Sequence, residues 1–289
     1  MGGAALERRP VLGDVGGTNA RFAVVGSDGR PGRVRASAAA DHAGFDEALG
    51  DFLADEGVTP RSLAISAAGS VIDGAVRLTN APWKIGAAAL SARFGGVPVH
   101  LVNDVEAVAL ALPVLSPDDT AEILAGCAEA GVPRLAVNLG TGFGAAVAVP
   151  TGAGRWTALA TEAGHVHLDP GVFAASGAAM IEDVFSGPGL RRARSATPGL
   201  APDRFRTEWS RLLGRIVRDL VQTTGAWGGV HFCGGLAEDF EVLVDRPAFG
   251  VGFRADGPMR ARLERVPVRR ITTEAPALRG LAALLDAGR

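Results

Sequence analysis

Two short glycine turns, each set between apolar runs and far apart in the chain, constrain this sequence more than any other feature. The first lies in Gly13-Asp14-Val15-Gly16-Gly17-Thr18-Asn19-Ala20-Arg21-Phe22. Pro10-Val11-Leu12 leads into it, Phe22 to Val25 leads out, and Ser27-Asp28-Gly29 marks the next turn, so the stretch reads as strand, tight turn, strand. The second runs from Leu135 to Val149 and repeats the design: an apolar strand, the polar Asn138, Gly140-Thr141-Gly142, and a second apolar strand. A glycine turn has no Cβ to hold off a ligand, so backbone N–H groups can reach phosphate oxygens. Thr18 and Asn19 add side-chain donors, and Asp14 is placed to meet a hydrated Mg²⁺, which prefers one or two carboxylates plus phosphate oxygens. A hairpin with a capping Asp would leave the same trace, and the first stretch alone does not separate the two readings. The second tips the balance: two matching hairpins imply two similar half-molecules, each offering a phosphate-holding turn to one nucleotide.

Composition narrows the classes. A chain of 289 residues holds one large domain or two modest ones. Hydrophobic content of 47% with 21% charged residues is ordinary for a soluble enzyme. A net charge of −2 gives no general pull towards nucleic acid or anionic membrane. Met1 to Pro10 has no signal-peptide core, and the apolar run Ala107 to Leu115, interrupted by Pro113, is too short to span a bilayer. Cys127 and Cys233 make no disulfide framework or zinc set, and a reduced cytoplasm is the expected compartment. The single lysine, Lys84, follows Ala81-Pro82-Trp83, so the chain has no Walker-type phosphate loop and no strand lysine of a protein kinase. If the chain handles ATP, it uses backbone amides, hydroxyls and Mg²⁺ in place of a phosphate-binding lysine.

Between the turns, Arg33 to Ala40 reads as a third strand, Gly44 to Glu56 as a helix and Arg61 to Ala67 as a strand. Thr79-Asn80-Ala81-Pro82-Trp83 reads as an extended loop, because the proline disfavours helix before it, with Trp83 as a packing anchor. Val97 to Val102 is a strand ending in Asn103-Asp104, and Glu106 completes a capping box, so a strand C-terminus feeds a helix N-terminus there. The helix start is expected to keep Asp104 ionised. Arg155 to Ala160 reads as a further strand, followed by Glu162, Gly164, His165 and His167, an H-x-H pair expected on a strand but without a third metal ligand of the usual kind. Arg191 to Arg194 is a small basic run. Arg204, Arg211, Arg215 and Arg218 form one face of a helix whose other face is Trp209, Leu212, Leu213, Ile216 and Leu220, and a solvated charged face is the simplest reading. Gly228 to Leu236 is a strand ending in Gly234-Gly235, Val266 to Thr273 another strand, and Ala277 to Leu285 a final helix.

The paired glycine turns, in this order with the third at Gly234-Gly235, resemble the phosphate and adenosine motifs of the actin, hexokinase and sugar-kinase superfamily. The flanking residues resemble bacterial glucokinases: T-N-x-x-W at Thr79 to Trp83, N-D-x-x-A at Asn103 to Ala107, E-x-G-H at Glu162 to His165 and S-G-P-G-L at Ser186 to Leu190. The likeness runs from about Val11 to about Leu285. It implies an α/β, two-domain ribonuclease-H-like fold with a ligand cleft between domains: a small N-terminal α/β domain of residues 1–113 plus 276–289, and a large one of 114–275. It also implies ATP-dependent phosphorylation of glucose at the 6-hydroxyl. Asp104 would be the base. Asn80, Asn103, Glu162, His165 and Glu182 would bind the sugar. Gly16, Gly17, Thr18, Asn19, Gly140, Thr141 and Gly142 would bind phosphates, Gly234 and Gly235 the adenosine, and Asp14 the metal. The expected ligands are glucose and ATP with Mg²⁺, with no nucleic acid or membrane partner and room for a homodimer. Another hexose, an N-acylhexosamine, polyphosphate as donor, and a non-catalytic sugar sensor stay open. Thr161 and Ala163 replace family glycines, Ala67-Ala68-Gly69-Ser70 lacks a proline usual in that loop, and the stretches 170–182 and 190–228 are shorter than expected. Asp183, next to Glu182, leaves two acids for one sugar contact. No helix-turn-helix precedes the first turn, which argues against the superfamily's DNA-binding repressors.

Overall fold

The computed structural model describes residues 6–78 and 83–287, which fall into two α/β units. Unit one comprises the described residues through Val114 together with those from Glu274 onward, and unit two is Leu115–Thr273. Unit one opens with an antiparallel meander of β1 (Glu7–Val15), β2 (Asn19–Val24) and β3 (Arg35–Ala38). It continues with α1 (Phe45–Glu56), β4 (Val58–Ala67), the short hairpin β5 (Ala75–Arg77) and β6 (Lys84–Gly86), α2 (Ala87–Arg93), β7 (Val99–Asn103) and α3 (Asp104–Ala111). The sheet order is β3-β2-β1-β4-β7, with β1, β4 and β7 parallel. Asp14, Ser66 and Val102 are therefore aligned across three strands, and the polar residues of all three C-termini share one edge.

Local chemistry explains these elements. In α1, Phe45, Ala48, Leu49, Phe52 and Leu53 form the buried stripe, and Gly57 closes the helix in the left-handed region at φ 62°. Phe22 stacks on Phe52 with ring centroids 5.3 Å apart, and Phe45 meets the edge of Trp83 at 6.2 Å, so Trp83 is a core anchor of this unit. Strand β4 starts three residues earlier than its apolar pattern predicts. It carries Pro60, tolerated because the register with β1 shifts at Arg9–Pro10. Strand β3 is shorter than expected, since Ala39–Asp41 winds into a 3₁₀ turn.

Unit two repeats the plan. An edge strand, β8 (Thr120–Leu124), comes first, then the meander β9 (Arg134–Leu139), β10 (Phe143–Gly152) and β11 (Arg155–Thr161). Helices α4 (Glu182–Phe185), α5 (Gly187–Ala196) and α6 (Pro202–Thr224) lead to β12 (Val230–Cys233). Then come α7 (Gly235–Glu238), α8 (Phe240–Leu243), α9 (Arg246–Phe253), α10 (Arg260–Leu263) and β13 (Val268–Ile271). The order β11-β10-β9-β12-β13-β8 matches that of unit one with one strand added at the edge, and β9, β12 and β13 are parallel. Its core gathers Val137, Leu139, Phe232 and Val268 from the sheet with Phe185, Trp209, Leu213, Val217 and Phe249 from the helices. The added strand was not legible, because Thr120-Ala121-Glu122-Ile123-Leu124 is polar on one side and pairs only with β13.

The last helix, α11 (Pro276–Ala287), belongs to unit one and packs against α3. The contact is backbone to backbone: a Cβ on Gly280 would lie 1.8 Å from the Ala107 carbonyl oxygen. Gly50, inside α1, has nothing within 4 Å of such a Cβ. Gly280→Ala is expected to destabilise unit one by about 1–3 kcal/mol through overpacking. Gly50→Ala should stabilise by about 0.5–1 kcal/mol through helix propensity. Thermal denaturation of the two variants checks this, and equal shifts would refute the close helix contact.

Candidate active site

In unit one the candidate residues meet at the C-terminal edge of the parallel strands, where open α/β sheets hold ligands. Asp14 is the penultimate residue of β1. Its Oδ1 accepts a hydrogen bond from Ser66 Oγ at 2.7 Å, and its Oδ2 lies 3.7 Å from Arg21 Nη1, directly opposite on β2. Burial nevertheless raises its pKa, Ser66 and Arg21 opposing the rise. Asn103 caps α3, its Oδ1 accepting from the backbone N–H of Val105 at 2.9 Å and of Glu106 at 3.3 Å, while Glu106 returns the capping box. Asn103 Nδ2 donates to the Gly69 carbonyl at 3.1 Å, which ties the loop after β4 to the helix start. Asp104 is the first residue of α3, and its Oδ1 accepts from the Val105 N–H at 3.0 Å.

The electrostatics of Asp104 differ from expectation. The helix start does favour its anion, but burial outweighs that, and the neighbouring charge of Asp14 adds to it. Together they push the Asp104 pKa to about 6. Two carboxylates are thus confined in one half-buried corner, each harder to ionise than in water. Such a corner suits a divalent cation: Mg²⁺ takes one or two carboxylates and fills its shell with phosphate oxygens and water, so no third protein ligand is required. Among the described residues no group of three or more metal-ligating side chains occurs.

The turn between β1 and β2 offers fewer backbone donors than its glycines promise. Gly16 N–H closes the hairpin on the Asn19 carbonyl at 2.9 Å. The Thr18 and Asn19 side chains are exposed, and Gly17 lies between them and Gly16 in the turn. Asn80 lies outside the described residues.

In unit two the second turn behaves alike. Gly140 N–H donates to the Gly142 carbonyl at 3.0 Å, and the Gly140 carbonyl accepts from Gly187 N–H at 2.8 Å, which docks the turn on the start of α5. Thr141 is exposed. Strand β12 runs parallel to β9, pairing Cys233 with Asn138, so Gly234 and Gly235 emerge beside the Gly140 turn. The two glycines have different reasons. A Cβ on Gly234 would fall 2.2 Å from Asn138 Oδ1, whereas one on Gly235 would meet nothing within 4 Å. Gly234 is required by strand packing, and Gly235 leaves open space.

The acids and histidine form one cluster around the same turn. His165 does not sit on a strand: Ala163–His165 is a 3₁₀ turn after β11, because Glu162 leaves the extended region. This places His165 Nδ1 3.2 Å from Glu162 Oε2 and Nε2 3.5 Å from Glu182 Oε1. Glu182 in turn lies against Gly142, 3.4 Å from where a Cβ would be. All three are at least one-third exposed, so they present acceptors and an imidazole outward. Asp183 is engaged elsewhere. Asp183 Oδ2 accepts from the backbone of Ala179 and Met180, and its Oδ1 pairs with Arg192 at 3.1 Å, so its carboxylate is committed and Glu182 is the one that faces His165. The departures from the family pattern also find roles. Thr161 Oγ1 donates to the Ala145 carbonyl, Ala163 is buried in the core, and Gly164 is kept because a Cβ would strike the Phe143 carbonyl at 2.3 Å.

Two residues escape a reading of the sequence. Ser66 is a lone serine in an apolar strand with no spacing to mark it, yet it is fully buried and fixes Asp14. Arg191 stood in a basic run. Arg192 pairs with Asp183 and Arg194 lies over Phe205, while Arg191 Nη1 is 3.7 Å from a Cβ position on Gly187, next to the second glycine turn.

Comparison with known proteins shows the family. The glucokinase family model matches residues 11–197 and 203–288. The chain belongs to the glucokinase family. It is 35% identical, over an alignment 313 positions long with gaps, to the glucokinase of Cupriavidus pinatubonensis, covering 95% of this chain and 91% of that protein. It is 32% identical to that of Paramagnetospirillum magneticum, covering 97% and 98%. The structure of a glucokinase from an Antarctic psychrotroph superposes with a TM-score of 0.84 at 26% identity, covering 96% of this chain and 98% of that one. A glucokinase of the ROK family from Streptomyces griseus, solved in complex with glucose and AMPPNP, shares the fold with a TM-score of 0.65 at 22% identity, over 96% of this chain and 98% of that one. The family and the strand order together make this an actin-like ATPase fold of the sugar-kinase type.

A raised carboxylate pKa has a stability consequence of fixed sign. In the folded family member Asp104 titrates near 6, against an ordinary 3.8 in the unfolded chain. The folded state thus binds the extra proton between those values, and stability falls as pH rises through that window. Asp104→Asn, neutral at all pH, should raise stability at pH 7.5 by up to about 3 kcal/mol and by little near pH 4. Urea denaturation at the two pH values checks this, and a variant less stable at pH 7.5 would contradict the buried-anion account.

Proposed function

We propose that this glucokinase-family chain transfers the γ-phosphoryl group of ATP to the 6-hydroxyl of glucose, yielding glucose 6-phosphate and ADP. The observation that carries the reading is Asp104, an α3 N-terminal carboxylate with a pKa near 6, within the N-D-x-x-A stretch of a chain whose relatives are glucokinases. A base with that pKa is ionised at neutral pH yet accepts a proton more readily than an ordinary aspartate. The sugar oxygen attacks phosphorus in line, its proton passes to Asp104, and the bond from phosphorus to the ADP oxygen breaks. Phosphoryl transfer asks the protein mainly for positioning and charge stabilisation.

The remaining roles follow from position. Asn103 orients the start of α3 and offers its amide to the ring. Glu162, His165 and Glu182 accept and donate hydrogen bonds to sugar hydroxyls, and Asn80 joins them on the strength of its T-N-x-x-W context. Thr18, Asn19, Thr141 and Gly142 contact phosphates, with Gly16, Gly17 and Gly140 shaping the turns, and Gly234 with Gly235 borders the adenosine. Asp14 would hold Mg²⁺, kept in place by Ser66. When bound, the cation supplies positive charge to the phosphates. Arg191 is a further cation near the second turn. The reading places the reaction in the cytoplasm, where ATP is made.

ADP release measured across glucose, other hexoses and N-acylhexosamines tests the proposal. Glucose with ATP and Mg²⁺ is expected to give the highest kcat/KM. Release with an N-acylhexosamine only would reassign the substrate, and none with any sugar would leave a sensor. In the same assay Glu162→Gln should raise the KM for glucose by about 10- to 100-fold, since a hydrogen bond to a charged group is worth about 1.5–3 kcal/mol, while the KM for ATP barely moves. Equal changes in both would point to damaged folding.

A further inference from the structure

Helices α6 and α9 cross in unit two at unusually close range. A Cβ on Gly214 would lie 2.3 Å from the Phe249 carbonyl oxygen, and one on Gly252 would lie 2.1 Å from that of Arg211. This contact draws arginines of both helices around one cavity of about 920 Å³, which also reaches Leu124 at the end of β8. Its size is in the range of small-molecule sites.

The charges there are not balanced. Arg211 pairs with Glu208 at 3.2 Å, Arg246 pairs with Glu241, and Arg260 is bracketed by Asp256 and Glu264. Arg215 is exposed and makes no ion pair among the described residues. Arg254 has no carboxylate either and donates to the Ala125 carbonyl at 2.6 Å. The Nε–H groups of Arg211, Arg246 and Arg254 are buried and meet no acceptor among the described residues. Turning Arg254 towards a ligand would give up its Nη2 bond to Ala125 but no Nε–H bond, and its Nε–H would gain an acceptor. A guanidinium fork matches phosphate oxygens in pairs, and Leu124, Pro247 and Val251 add an apolar wall for the body of a ligand.

The cavity is distinct from the candidate active site. Leu124 pairs with Val268, Val268 with Val230, and Val230 with Leu135, so all four lie at one level of the sheet. The Gly140 turn begins five residues further along β9, roughly 16 Å away at 3.3 Å per residue. A molecule in the cavity would leave the turn free.

We propose that this cavity binds a small phosphorylated metabolite, with its phosphate on Arg215 and Arg254 and its body against Leu124, Pro247 and Val251. The site does not depend on the kinase reading, and its test is a binding measurement. Calorimetry would use glucose 6-phosphate, ribose 5-phosphate and inorganic phosphate on the wild type, on the double variant Arg215→Ala with Arg254→Ala, and on Thr141→Ala. At least one sugar phosphate should bind saturably, more tightly than inorganic phosphate. It should lose about tenfold or more in affinity in the double variant, as expected for lost charge-assisted contacts, and little in Thr141→Ala. Arg215→Lys, which keeps charge and loses the fork, should fall between and serves as the check that folding is intact. The proposal is overturned by absence of binding at concentrations on the order of 10 mM. Inorganic phosphate binding as tightly as either sugar phosphate, or sugar-phosphate binding lost in Thr141→Ala and kept in the double variant, would overturn it too.

Discussion

Unit one is organised around the confinement of two carboxylates, Asp14 and Asp104, at the C-terminal edge of three parallel strands. Neither is comfortable there: burial raises both pKa values, and the charge of Asp14 raises that of Asp104 further. What holds them is a set of direct polar contacts. Ser66 and Arg21 grip Asp14, and the N-terminal amides of α3, set by the Asn103 capping box, face Asp104. The strand order β3-β2-β1-β4-β7 matters because it brings the ends of β1, β4 and β7 to the same edge. Stability is given up at neutral pH; in the proposed function this leaves one carboxylate basic enough for proton transfer and a pair that would attract a cation.

The second unit uses the same order of strands to another end. Its parallel strand ends carry the Gly140 turn and the Gly234-Gly235 pair, and the Glu162–His165–Glu182 cluster meets the turn through Glu182 at Gly142. Glycine serves different purposes within this one arrangement. Gly164 and Gly234 are demanded by carbonyl or side-chain oxygens closer than 2.5 Å to a Cβ, and Gly235 faces open space. The N–H groups of Gly16 and Gly140 close their own hairpins while Thr18 and Thr141 are exposed, so the proposed function draws its phosphate donors from the threonines more than from those glycines.

Much of this was legible in the sequence, for reasons that are local. Apolar runs broken by glycine reveal the hairpins, and Asn103 with Glu106 announces the cap that positions Asp104. The rest depends on contacts far apart in sequence. Ser66 and Asp14 are 52 residues apart, and nothing in an apolar strand marks a serine that will meet a buried acid. The choice between Glu182 and Asp183 needed the backbone N–H groups of Ala179 and Met180. The H-x-H pair mimicked a strand pattern, but Glu162 turns the chain first. The arginine face of α6 is solvated at Arg204 and Arg215 as its spacing implies, but the crossing of α9 at Gly214 and Gly252, which sets the cavity beside it, has no mark in the sequence.

The central claim is that Asp104 is the base for phosphoryl transfer, and its most direct test is turnover by Asp104→Asn beside the wild type. Asparagine keeps the shape and the contact with the helix start while removing the basic oxygen. The account predicts a fall in kcat of at least about two orders of magnitude, with glucose affinity by calorimetry changed far less. Turnover within a few-fold of wild type in a well-folded variant would contradict it.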